Sequence, residues 1–421
     1  MRINRILIEL MALIGITPIL SLNIHPIVPL VIFFLWFINS SVSKSVKFMF
    51  SDPWHLSRWW IYLVVWEILL SLIGFSTTKP NNYIVRIPIY CMPMIAAFVL
   101  RTYSYKEQKR LFMFIMGVLL INVIQNIFLF LRDPSFFESF KRSDEMFQYT
   151  NGGTTSFIQT CLFAIPCCFL ILANQARGRM KINIFMSMLL LIVYIMAINS
   201  RATTILIFFF FLIALLYVRY ITPKIKSKPI RILLTLFILL VAFFFVVPFL
   251  NWLGNTIAFE GLSVKIEELS YSFTTGRIDE NDDSSSLGVR FLLAQTSLET
   301  WTSSFRNLIV GIGDDVSESG GLFDLIRTGI GRHSQILDFL AMYGIIGTFM
   351  LFKAWFSFFS FLKYLNNAPE VESMINIVIM GYLLMAILNN VLTANQNTVM
   401  FLLLPISLMM IGSNRTFKYN N

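Results

Sequence analysis

Five side chains in this sequence have types and positions that suit chemistry on an anionic substrate: His333, Arg332, Arg290, Arg201 and Arg142. A histidine imidazole exchanges protons near neutral pH, so His333 could take a proton from an attacking hydroxyl group. An arginine guanidinium keeps its charge and binds phosphate through two parallel hydrogen bonds. The structural alternatives are a helix cap or an interfacial anchor for His333, and solvated or lipid-bound charges for the arginines.

The elements that must position these residues are apolar helices. Of the 421 residues, 57% are apolar and only 13% are charged, whereas about a quarter of the residues in a soluble globular protein are charged. The mean hydropathy is +0.72. This composition predicts an all-α polytopic membrane protein, in which the chain length sets the number of helices rather than of soluble domains.

Apolar runs of about 17–23 residues predict about twelve transmembrane helices. Their ranges are 5–22, 26–42, 59–76, 83–100, 111–131, 156–173, 182–199, 203–219, 231–253, 335–357, 374–392 and 396–412. The first nine helices occupy residues 1–253, with an external segment at 132–155. A long polar loop follows at about 254–333, and residues 334–421 hold helices ten to twelve and the C-terminus.

Charge placement predicts the orientation of the chain. The net charge is +10, but the 254–333 loop holds 6 Lys/Arg against 12 Asp/Glu, so the remainder carries +16. With the N-terminus in the cytoplasm, 21 of the 33 Lys and Arg residues fall in cytoplasmic links, as the positive-inside rule requires. Both termini are therefore predicted to be cytoplasmic, and the long loop to be periplasmic or external. No basic stripe with interleaved aromatics is present, which argues against a nucleic-acid partner.

The long loop has helical patterns of its own. Apolar residues recur at helical spacing in three stretches, 262–269, 289–301 and 322–330, which predicts short helices. The acidic and serine-rich run from Asp279 to Ser286 is predicted to be solvated and mobile.

Other polar and reactive residues carry weaker signals. The four cysteines lie inside apolar runs, and there is no metal-ligand cluster, nucleotide-binding glycine loop or serine-hydrolase elbow. Asp338 follows His333 by five residues, a spacing that argues against direct orientation of the imidazole by this carboxylate. Glu67, inside an apolar run, would mark an ion pathway in a transporter.

Several short motifs resemble those of the O-antigen ligase and polymerase superfamily. They are Ser200-Arg201 in a short turn, Leu287-Gly-Val-Arg290 and Gly311-Ile-Gly313 in the long loop, Arg332-His333-Ser-Gln-Ile-Leu337-Asp338, and Gly344-Ile-Ile-Gly347 in the next helix. Arg142 and the later Asn151-Gly-Gly-Thr-Thr-Ser segment are similar to the start of a middle helix in that family. The topology resembles the family across nearly the whole chain, although Ser334 stands where the family usually has asparagine.

The resemblance implies a metal-independent glycosyltransferase that needs no cofactor. Such enzymes take a glycan from undecaprenyl diphosphate at the outer face of the bacterial inner membrane and transfer it to an acceptor hydroxyl. On this basis His333 would deprotonate the acceptor, while Arg201, Arg290, Arg332 and Arg142 would bind diphosphate or substrate. The expected function is a polysaccharide repeat-unit polymerase, whose acceptor is the terminal sugar of another lipid-linked repeat.

Two alternatives stay open. One is an O-antigen ligase, which transfers the glycan to the lipid A–core sugar. The other, from a different class, is a flippase or transporter of lipid-linked oligosaccharides. The expected partners are the undecaprenyl-diphosphate-linked oligosaccharide, membrane lipid, and a chain-length regulator and flippase.

Overall fold

The computed structural model describes residues 2–16, 27–42, 58–73, 87–132, 230, 286–313, 329–331, 334–365, 369–392 and 394–411. Within these ranges every regular element is a helix. The helices are α1 (Arg2–Ile16), α2 (Ile27–Val42), α3 (Arg58–Leu72), α4 (Ile87–Tyr90), α5 (Met92–Thr102), α6 (Tyr105–Arg132), α7 (Ser286–Thr302), α8 (Phe305–Val310), α9 (Gln335–Leu365), α10 (Pro369–Leu388), α11 (Ala394–Thr398), a π-helical turn (Val399–Leu403) and α12 (Leu404–Ile411). The all-helical prediction is confirmed for this part of the chain.

One helix in the described ranges, α9, is long and apolar enough to cross a membrane, and it has 31 residues. Shorter apolar helices lie at Ile27–Ser40, Met92–Thr102, Ile375–Leu388 and Gln396–Met410. The predicted helices six to nine, between residues 156 and 253, and the loop stretches 262–269 and 322–328 lie outside the described residues, apart from residue 230. Twelve transmembrane helices therefore stay a prediction.

The predicted helix at 83–100 is two helices in the structure, α4 and α5, separated at Cys91. Pro93 lies in the first turn of α5. Proline has no N–H and is tolerated in that turn, where the N–H would have no partner within the helix. The break therefore follows from the proline, which the apolar pattern alone does not reveal.

Aromatic side chains fill the core between α3, α9, α10 and the π-helical turn. Phe401, in the π-helical turn, packs edge-on against Phe358 with ring centroids 4.7 Å apart and against Trp60 at 5.7 Å. Tyr382 packs in the same way against Trp355 at 5.4 Å. All five rings are buried. Each such pair contributes about 0.5–1.5 kcal/mol beyond the burial of its surface, so this cluster fixes α9 against α3 and the C-terminal helices.

Large apolar side chains also lie on the outer surfaces of these helices. In α9 the exposed ones are Ile345, Phe349, Phe356 and Tyr364, and others are exposed on α2, α3 and α10. The aromatic core covers the other face of α9. Apolar side chains therefore lie on both faces of this helix, together with the exposed Lys353, Ser360 and Lys363 in its C-terminal half.

The start of α6 carries a cap outside the predicted membrane spans. Ser104 donates a hydrogen bond from its backbone N–H and another from its hydroxyl to Oε2 of Glu107, at 2.9 and 2.8 Å. Glu107 and Ser104 thus have the spacing of a capping box. The hydrogen bonds from Ser104 stabilise the charged carboxylate, so they lower the pKa of Glu107 below its ordinary value.

Acidification is expected to weaken this end of α6. Because the pKa is lowered by folding, the stabilisation is complete above the ordinary pKa of an unfolded glutamate and is lost as the pH falls through the lower folded-state pKa. The heat-unfolding midpoint of the wild type should therefore fall more than that of Glu107→Gln, whose cap has no charge, between about pH 6 and pH 3. Parallel curves for the two proteins would contradict the role of the carboxylate.

Candidate functional site

Most of the predicted site residues lie outside the described residues: Arg142, Arg201, Arg332 and His333. Arg290 lies in the first half of α7. The chain is described immediately before and after the Arg332–His333 pair, at Gly331 and Ser334. The packing of these two neighbours, and of the helices that hold them, defines the candidate site.

A buried carboxylate, Asp338, joins the segments around this pair. Its Oδ1 accepts a hydrogen bond from the hydroxyl of Ser297 at 2.7 Å, and its Oδ2 accepts one from the backbone N–H of Ser334 at 3.1 Å. Ser297 Oγ accepts a hydrogen bond from the backbone N–H of Gly331 at 2.8 Å. Asp338 and Ser297 are both buried. The chain is thereby anchored directly before and directly after the Arg332–His333 pair.

Gly331 also allows the chain directly before Arg332 to pack closely against α7. A Cβ atom at position 331 would lie 2.1 Å from the carbonyl oxygen of Leu293, so only glycine permits this approach of the two backbones. Position 290 lies about one turn before Leu293 and about two turns before Ser297 in α7, which places it on the same face as Ser297. Position 290 therefore belongs to the α7 face that contacts Gly331.

The motif Gly311-Ile-Gly313 packs against a kink in α9. Gly344 has φ 60° and ψ −164°, which interrupts the helix. In an unbroken helix the carbonyls of Ala341 and Met342 would accept hydrogen bonds from the N–H groups four residues later. Here they accept from the backbone N–H groups of Ile312 and Gly313, at 2.9 and 2.8 Å. The motif thus supplies hydrogen-bond donors to the carbonyl groups that the kink leaves without partners within the helix.

Side chains at the corner between α7 and α8 fix these two helices relative to each other. Ser304 Oγ accepts from the backbone N–H of Asn307 at 3.1 Å and caps α8. The side-chain amide of Asn307 donates to the carbonyl of Thr300 at 3.2 Å, and the indole N–H of Trp301 donates to the carbonyl of Leu308 at 3.1 Å. The polar loop therefore contains an ordered helical corner, which packs on α9 through the glycine contacts.

The first turn of α9 is held from a second side by the link between α10 and α11. Gln335 Oε1 accepts from the backbone N–H groups of Val391 at 3.1 Å and Leu392 at 3.0 Å. The backbone N–H of Gln335 donates to the carbonyl of Asn389 at 3.2 Å. The turn that follows His333 is thus anchored to both the long loop and the C-terminal helices.

Ser297 and Gln335 carry no sequence motif that predicts their roles. The usable signal is a polar side chain at an otherwise apolar helical position, since buried polar groups need partners. Asp338 shows the same signal, because it is a charged residue at the start of an apolar helix. Both of its oxygens accept hydrogen bonds from the chain, which suits positioning rather than proton exchange with a substrate.

No group of three or more His, Cys, Asp or Glu side chains comes together as a metal site in the part of the chain that the structure describes. No protein-family model matches the chain, and no curated protein matches it. The assignment of a function therefore depends on the sequence motifs and on the geometry around Asp338.

Proposed function

We propose that this protein is a polysaccharide repeat-unit polymerase of the inner membrane, which transfers a glycan from undecaprenyl diphosphate to a sugar hydroxyl of another lipid-linked repeat. The observation that carries the proposal is the network of Asp338 and Ser297. It anchors both neighbours of the Arg332–His333 pair beside the helix that holds Arg290. A base and phosphate-binding cations are what this transfer needs.

The membrane part of the proposal is supported by α9, which is long and apolar enough to cross a membrane. A straight helix of its 31 residues would extend about 46 Å, more than the hydrocarbon thickness of about 30 Å. Large apolar side chains are exposed along α9, as lipid contact requires. The exposed Lys353 and Lys363 lie in its C-terminal half, which suits the predicted cytoplasmic side.

In the proposed reaction His333 takes the proton of the acceptor hydroxyl. The acceptor oxygen forms a bond to C1 of the donor glycan as the bond from C1 to the diphosphate oxygen breaks. The electron pair of that bond leaves with undecaprenyl diphosphate. Arg201, Arg290, Arg332 and Arg142 are proposed to bind the diphosphate or the glycan, because fixed cations stabilise the charge that develops on the leaving group. Displacement from the opposite face inverts C1.

Ligase activity is the alternative within the same chemistry, with lipid A–core as acceptor. Transport is the alternative that a separate observation favours. Glu67 is fully buried in α3 and accepts a hydrogen bond from the hydroxyl of Tyr90 at 3.0 Å. Buried carboxylates within apolar spans are typical of ion-coupled transporters.

Cells that lack the protein distinguish the polymerase, ligase and transport functions. We expect cells without it to lose the long polysaccharide ladder on a gel, to keep a single repeat on the core, and to recover the ladder with the wild-type chain. Core without any repeat, with lipid-linked polymer accumulating at the outer face, would identify a ligase. Lipid-linked single repeats retained at the cytoplasmic face would identify a flippase, and either outcome would overturn the polymerase proposal.

A further inference from the structure

The link between α10 and α11 is held against the first turn of α9 on both sides of Asn390. The backbone N–H of Gln335 donates to the carbonyl of Asn389 at 3.2 Å, directly before Asn390. Gln335 Oε1 accepts from the backbone N–H groups of Val391 at 3.1 Å and Leu392 at 3.0 Å, directly after it. Both neighbours of Asn390 are thus bonded to one residue, which fixes position 390 beside the start of α9.

Carboxamide side chains are concentrated in this part of the sequence. Between residues 389 and 397, five of the nine residues carry one: Asn389, Asn390, Asn395, Gln396 and Asn397. The apolar stretch Ile375–Leu388 precedes them, and the apolar π-helical turn follows. Amides are costly to bury without hydrogen-bond partners, so a run of them between two apolar segments calls for polar partners from the chain or from a ligand.

Asn390 is the accessible carboxamide among those whose side chains the structure describes. Asn389, Gln396 and Asn397 are buried, and α11, which carries the last two, packs against α1 and α4. The side chain of Asn390 is partly exposed. Of these four amides it is therefore the one that a ligand can reach without opening the helix packing.

We propose that Asn390 is a glycan-binding residue, whose side chain contacts hydroxyl or acetamido groups of the sugar substrate. A carboxamide holds two N–H donors and a carbonyl acceptor in one plane. Sugar hydroxyls both donate and accept hydrogen bonds, so they suit this group. Because the amide is uncharged, it is matched to the glycan rather than to the diphosphate, which is bound best by cations. The inference rests on the proposed function, since it concerns the glycan of that substrate.

The proposal assigns the two parts of the substrate to two sides of the candidate site. The α7 face that includes position 290 contacts Gly331, directly before the Arg332–His333 pair. The α10–α11 link contacts Gln335, two residues after His333. Arginines on the first side would bind the diphosphate, and Asn390 on the second would bind the sugar. The bond to be broken joins these two groups, which suits a proton acceptor in the segment between the two contacts.

Two separate titrations of the full-length protein in detergent test this role by microscale thermophoresis. One probe is the repeat oligosaccharide, released by mild acid from the lipid-linked repeats of the producing cells. The other is undecaprenyl diphosphate without a glycan. Asn390→Ala is compared with the wild type and with Gln295→Ala. Gln295 is an exposed carboxamide that donates to Glu299 at 2.7 Å, and it lies two residues from Leu293, on another face of α7 from the Gly331 contact.

Asn390→Ala is expected to bind the oligosaccharide about tenfold more weakly, as the loss of one or two hydrogen bonds predicts, and undecaprenyl diphosphate as tightly as the wild type does. Gln295→Ala should match the wild type for both probes. Unchanged oligosaccharide binding by Asn390→Ala would overturn the inference alone. An equal loss for both probes would also overturn it, because the side chain would then only support the fold of the link. If the wild type binds neither probe, the proposed function is wrong, and the inference falls with it.

Discussion

His333→Ala and Asp338→Ala are both expected to abolish the polysaccharide ladder, but only Asp338→Ala should destabilise the protein. Loss of a general base lowers the rate of such a transfer by about 10²–10⁴-fold. Asp338→Ala removes the carboxylate that accepts hydrogen bonds from the buried hydroxyl of Ser297 and from the backbone N–H of Ser334. This change should cost about 2–4 kcal/mol of unfolding free energy.

Asp338→Asn is the matched variant for the positioning role. Its carboxamide oxygen can still accept from Ser334, and its N–H can donate to Ser297 Oγ, so the anchored turn should persist with partial activity. The double variant Ser297→Ala with Asp338→Ala should cost less stability than the sum of the single changes, because both belong to one network. Additive losses would contradict the network.

Two measurements separate a base from a structural residue at position 333. Purified His333→Ala, assayed on lipid-linked repeats at equal protein level, should recover part of its rate when imidazole is added, because a free base can occupy the vacated space. It should also unfold at the same temperature as the wild type. A full ladder from His333→Ala would show that the base assignment is wrong.

In the described part of the chain, the sequence predicts the helices better than their ends and interruptions. The run at 289–301 predicts α7 because its apolar residues recur at helical spacing over several turns. Helix α8 is not predicted, because six residues are too few to show a helical period and its start depends on the Ser304 cap. The kink at Gly344 is not predicted either, for another reason. Gly344 occurs in a motif, but its backbone conformation depends on contact with a segment about 30 residues earlier.

The candidate site shows the same limit for polar contacts. The five-residue spacing predicts that Asp338 does not orient His333 directly, and this stays a prediction because His333 lies outside the described residues. The structure shows that the two carboxylate oxygens accept hydrogen bonds from Ser297 and Ser334. The Ser297 contact joins residues 41 positions apart. Local pattern cannot reveal such a pair, because helical spacing relates only residues three or four apart. Charged or hydroxyl residues in apolar helices can be found from sequence, but their partners come from the fold.

Gly344→Ala is expected to be among the most destabilising single changes in the described chain. The backbone of Gly344 lies in a region with positive φ that is essentially restricted to glycine, which alone costs about 1–3 kcal/mol for another residue. The added Cβ would also lie 2.3 Å from the carbonyl carbon and oxygen of Ile309. Because these are backbone atoms, rotamer changes cannot relieve the clash. A total loss above about 4 kcal/mol is expected, as for other disrupted buried packing.

Gly117→Ala in α6 is the control, because a Cβ there meets nothing within 4 Å. A glycine in a helix interior is about 1 kcal/mol less favourable than alanine, so this variant should be unchanged or slightly more stable. Heat challenge in detergent, followed by size-exclusion chromatography, measures the unfolding temperature of both variants.

In Gly344→Ala, separation of the α8 end from the kink should also break the hydrogen bonds from Ile312 and Gly313 to the carbonyls of Ala341 and Met342. Gly311→Ala, whose Cβ would clash with the Met342 backbone from the other side at 2.3 Å, should therefore cause a similar loss. If Gly344→Ala unfolds at the same temperature as Gly117→Ala, the long loop does not dock on α9 in this way.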